Sequence, residues 1–186
     1  MKATGIVRRI DDLGRVVIPK EIRRTMRIRE GDPLEIYTDR EGEVIFKKYS
    51  PIGELNTFAA QYADTLSKTC NLSVLICDRD AVIAVGGVSK KEYMDKSLSK
   101  ELDTVMQGRS FYRHSAERDG EKMYPTESES DQFISCAMPI ISEGDVIGCV
   151  VSLQSEQGDK RDAAGYETEG KLITTAANFL GKQMES

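Results

Sequence analysis

The residues of this chain whose types and spacing could do chemistry are cationic, and they crowd one end. The first 29 residues hold nine Lys and Arg, among them Arg8, Arg9, Arg15, Arg23 and Arg24, against three Asp and Glu. Cations gathered on one short segment suit the attraction of a polyanion. The rest of the chain runs the other way. Residues 51–186 carry 14 basic and 22 acidic side chains, so a net charge of −5 over 186 residues hides a basic head. Charge alone leaves two readings open: a nucleic-acid surface and an ordinary solvated face.

Other chemistry has little material. The one histidine, His114, lies near Glu117 and Asp119 in a polar stretch, 115–131, that reads as loop. This is the only acid–base cluster, and a loop histidine is more often solvated than catalytic. No catalytic residue is expected, and the chain is read as a non-enzyme. Cys70, Cys77, Cys136 and Cys149 fall in apolar, strand-like segments with no C-x-x-C pair. In a cytosolic protein they are expected to be reduced packing residues, with a redox pair as the alternative. No metal site or resident cofactor is expected. No run of about eighteen apolar residues predicts a membrane span. The N-terminus lacks the apolar run of a signal peptide, so a cytoplasmic location is expected.

The elements that must position the arginines are short. Gly5–Ile10 and Arg15–Ile18 read as two strands around an Asp11-Asp12-Leu13-Gly14 turn. Pro19 suits the start of a helix running from Lys20 to about Ile28, with Ile22 and Met26 on one face. Leu34–Tyr37 and Val44–Lys47 make a second hairpin. About fifty residues of this kind bury a marginal core alone, so the head is expected to lean on a partner. Pro51 and Gly53 break the pattern. The expected division is therefore a head over 1–50, a linker over 51–54 and a second domain over 55–183, an α+β chain of two domains.

The stretch from Thr4 to Pro19, with its ordered Gly14-Arg15-Val16-Val17-Ile18-Pro19 run, then Glu21-Ile22-Arg23-Arg24 and Gly31–Tyr37, closely resembles the AbrB-type (transition-state regulator) DNA-binding family. The resemblance implies a swapped-hairpin fold, in which two chains interleave their hairpins into one dimeric β-barrel. It also implies that Arg8, Arg15, Arg23 and Arg24 bind double-stranded DNA, with Arg9 adjacent. Arginine suits that role, being always charged and carrying a planar fork of donors. Arg23 and Arg24 are placed on the first turns of the helix, whose N-terminus also attracts phosphate. No long recognition helix is evident, so specificity is expected to come from DNA shape, with A/T-rich promoters favoured. The family's antitoxin branch shares the fold, so an antitoxin-like autoregulator with a toxin-binding tail is a second reading.

In the second domain, helical spacing covers 55–68, 99–107 and 165–183, and strands are read at 72–77 and 81–85. Phe133–Ile141 and Val146–Leu153 form a hairpin about Glu143-Gly144. That register places Ile140, Met138, Cys136 and Ile134 opposite Ile147, Cys149, Val151 and Leu153, on one apolar face with Cys136 and Cys149 as diagonal neighbours. Ser135, Ala137, Val150 and Ser152 fall on a milder face. This order of elements resembles a GAF-type sensor domain, which implies oligomerisation and an unidentified small-molecule effector. The chain as a whole resembles a sporulation transcription regulator. That implies activation or repression of forespore genes, a homotetramer and no membrane partner.

Overall fold

The computed structural model describes residues 4–49, 56–115, 121–128, 130–155 and 163–185. The chain divides into two compact units, Met1–Tyr49 and Ser50–Ser186. The expected linker at 51–54 lies outside the described residues.

In the first unit, α1 (Lys20–Thr25) follows Pro19, and β1 (Leu34–Thr38) pairs antiparallel with β2 (Val44–Lys48). Helix α1 is shorter than its periodicity predicts. Arg27 turns left-handed at φ 51, and the Ile28 amide reaches back to the Arg23 carbonyl at 2.7 Å, which closes the helix. The predicted strands 5–10 and 15–18 are not paired into a sheet here, although the turn between them is present. Their apolar residues stay largely uncovered among the described residues: Val7 is 85% exposed and Val17 70%. Among the described residues of this unit only Pro19 is buried.

The second unit is built on a five-stranded antiparallel sheet, ordered β4-β3-β7-β6-β5. Its elements are α2 (Asn56–Cys70), β3 (Ser73–Cys77), β4 (Val82–Gly86), α3 (Lys90–Tyr93), α4 (Lys100–Gln107), β5 (Tyr112–Arg113), β6 (Gln132–Ser142), β7 (Asp145–Ser155) and α5 (Ala163–Gln183). Ser99 caps α4 by accepting the Leu102 amide at 3.1 Å. Helices α2 and α5 cover one sheet face, where Ala59, Ala63, Ile76, Val150, Ile173 and Leu180 form a buried cluster. Tyr93, Leu98, Leu102 and Met106 fill the other face against Leu75, Val151 and Leu153. The short elements α3 and β5 have no sequence signal long enough to be read in advance.

The β6–β7 hairpin corrects the predicted register. Glu143 and Gly144 both take positive φ, 49° and 86°, as a two-residue hairpin turn requires. Beyond the turn, a bulge between Ile140 and Ile141 leaves Ile147 unpaired. Ile140 then faces Gly148, Met138 faces Val150 and Cys136 faces Ser152. A second irregularity after Ile134 restores the predicted Ile134–Leu153 pair. An unpaired residue inverts the side-chain alternation, so Cys136 joins the helix-covered cluster and Cys149 the opposite one. Both faces are core. The milder residues are also inside: Ser135 and Ser152 donate to the buried Glu169 carboxylate of α5, at 3.1 and 2.6 Å.

Candidate nucleic-acid interface

The basic head is built around a polar turn. Asp11 Oδ1 accepts the amides of Leu13 at 3.0 Å and Arg15 at 2.7 Å, and the Gly14 amide donates to the Asp11 carbonyl at 3.1 Å. Gly14 sits at φ 77, where a side chain is strained. Asp11 Oδ2 takes the Arg15 Nε–H at 2.7 Å. The Arg15 amide and then its side chain hold the Asp11 carboxyl below the ordinary aspartate range. The contact engages Nε, and the Arg15 side chain stays 69% exposed. An exposed pair of this kind stabilises by under about 1 kcal/mol.

Arg8, Arg9, Arg15, Arg23 and Arg24 are all exposed. Arg23 and Arg24 lie in the last turn of α1, not on its first turns, because the helix ends at Thr25. Two cations in a last turn complement the negative end of the helix dipole. Asp11 was legible as a turn residue, but nothing in its type signalled that it would also bind the Arg15 side chain.

His114 closes β5, its ring edge-on to Phe133 at 5.0 Å, and its Nδ1 finds no partner among the described residues. Glu117 and Asp119 lie outside the described residues. No group of three or more potential ligands that could hold a metal occurs among the described residues. All four cysteines are free, and Cys70 ends helix α2 instead of lying in a strand. Cys77 pairs with Cys149 across β3 and β7, both fully buried. Burial pushes both thiols well up, with Cys149 adding to it at Cys77 and Cys136 adding to it at Cys149. A thiolate is the reactive form, so a maleimide is expected to modify native protein at half-buried Cys70 alone. Adducts at Cys136 or Cys149 without denaturant, read by mass, would revive the redox reading of that pair. No described helix is long and apolar enough to cross a membrane.

Residues 54–185 match the family described as stage V sporulation protein T C-terminal, transcription factor. Residues 7–53 match the family described as antidote-toxin recognition MazE, bacterial antitoxin. The chain is 54% identical over 185 residues to stage V sporulation protein T of Bacillus subtilis (strain 168), covering all of this chain and 99% of that one. The head is 65% identical over 51 residues to the transition state regulatory protein AbrB of the same organism, 27% of this chain and 52% of that protein. The crystal structure of the GAF domain from the Acinetobacter phosphoenolpyruvate-protein phosphotransferase matches 70% of this chain and 81% of its own, with 16% identity and a TM-score of 0.53. The second unit is thus GAF-like in fold. It is a folded domain in place of the short tail that an antitoxin reading requires. An AbrB-type head joined to a sporulation-protein C-terminal domain over the full length places the chain in the stage V sporulation protein T family of transcription factors.

Proposed function

We propose that the chain regulates sporulation genes by binding double-stranded DNA through Arg8, Arg9, Arg15, Arg23 and Arg24 of a dimeric head, without enzymatic activity. The observation that carries this reading is the joint exposure of those arginines and of the head's apolar residues. A unit with so little buried core is completed by a second copy, whose hairpins would close the swapped barrel and double the cationic face. The second unit offers a further contact of its own. Phe58 is 51% exposed on α2, and Tyr62 stacks on half-covered Phe179 of α5 at 5.4 Å. Pairing of these helices between dimers would give a homotetramer. The same reading takes the domains as 1–50 and 55–183 about a linker at 51–54. Activation or repression then depends on promoter position, in the cytoplasm and, by family, in the forespore.

Shape-read DNA is the expected target, since α1 has six residues and cannot serve as a long recognition helix. At one salt concentration the full chain should bind an A/T-rich duplex more tightly than a G/C-rich duplex of equal length. With about eight phosphates neutralised per dimer, the logarithm of affinity should fall against that of salt with a slope of about −7. Equal affinity for the two duplexes would remove the shape reading, and a flat salt response would remove the arginine face.

A further inference from the structure

Gly170 lies inside the 21-residue helix α5, where glycine costs about 1 kcal/mol relative to alanine. The reason lies across a groove. A Cβ on Gly170 would overlap the Arg113 guanidinium and come within 3.0 Å of Phe111 Cζ. The glycine makes room for Arg113, which the edge strand β5 holds beside the helix. The guanidinium is packed against the Phe111 ring at 5.4 Å and the Tyr166 ring at 6.0 Å. No acceptor among the described residues takes its N–H groups. The nearby Glu167 is committed to Lys171 at 2.6 Å. Lys171 first, and Arg113 from farther off, hold the Glu167 carboxyl below its ordinary range. With Glu167 and Lys171 offsetting each other, the groove is left with one net positive charge. It is an open groove of about 550 Å³ lined by Phe111, Arg113, Glu167, Lys171, Thr174 and Thr175, a volume in the range of small-ligand sites.

We infer that this groove binds a small organic monoanion, a carboxylate with an apolar portion. Two carboxylate oxygens match the planar fork of a half-buried guanidinium. Phe111, 38% exposed, gives the apolar portion a surface. The opposite face of the sheet is filled by Tyr93, Leu102 and Met106, so the ligand lies against α5. This inference rests on the second unit being a sensor domain.

Benzoate serves as the probe, with benzyl alcohol as its neutral counterpart, on the full chain with labelled threonine methyl groups. Benzoate should shift the Thr174 and Thr175 methyl resonances saturably, and benzyl alcohol should not. Arg113→Met should weaken benzoate at least roughly tenfold, the loss of a charge-assisted pair. Should that variant melt early, Arg113→Lys keeps the charge, loses the fork and should also bind more weakly. Gly170→Ala should weaken binding by displacing the guanidinium. No saturable shift with benzoate, equal shifts with benzyl alcohol, or wild-type affinity in both Arg113 variants would each overturn the site. DNA titration of the same samples reads the head, so a silent groove and a failed DNA reading are told apart.

Discussion

Replacing Arg23 and Arg24 together by alanine is expected to weaken binding to an A/T-rich duplex at least about tenfold and to flatten its salt dependence. Both side chains are exposed in the last turn of α1, and no buried contact of theirs is lost. A fall in affinity would therefore not come from unfolding, which circular dichroism of the variant checks. In a dimeric head the double change removes four cations. At about 0.9 per phosphate contact, the slope should become shallower by roughly 3.5. The two readouts must move together. A weaker variant with an unchanged slope would place these arginines in the fold instead of on the DNA. A variant that binds as wild type would move the interface to the Arg8 and Arg15 side of the head.

The second large effect is on stability. Gly86→Ala is expected to destabilise the second unit by about 3 kcal/mol, at the upper end of overpacking costs. Gly86 ends β4 where helix α2 crosses it, and an added Cβ would overlap the carbonyl of fully buried Ala63. Both partners are backbone, so no rotamer change relieves the overlap. Helix α2 must lift from the sheet, loosening Ala59 and Leu66 in the same cluster. Gly144→Ala is the matched control. That glycine has φ 86 and open space around it, so only conformational strain is added, roughly 1 kcal/mol. Thermal melts of the two variants should separate clearly. An equal or smaller loss for Gly86→Ala would show that α2 and β4 tolerate separation.

Much of this was legible in the residues because it depends on neighbours in sequence. Asp11 and Gly14 specify a turn through side-chain and φ requirements that span four positions. The Glu143-Gly144 turn follows from the same local chemistry. Helices α2, α4 and α5 follow from apolar spacing, and the basic head from the bare sequence of charges. The hairpin register was not legible past Ile141. A bulge inserts one residue without any sequence mark, and every later side chain then changes face. The predicted strands at 5–10 and 15–18 are unpaired for a related reason: a β-rich stretch is a strand only where another strand pairs with it, and no described strand does so.

What the sequence by itself determined is therefore the chemistry of the head and the order of elements. Nine cations in 29 residues keep their charge whatever the fold, and periodicity follows the backbone repeat. Only the tertiary structure decided that both faces of the sheet are buried, that Ser135 and Ser152 turn inward to Glu169, and that Gly170 opens a place for Arg113. Those pairings join residues between 17 and 57 positions apart. Each depends on which surfaces meet when helices close over the sheet, and no local preference of either partner encodes that meeting.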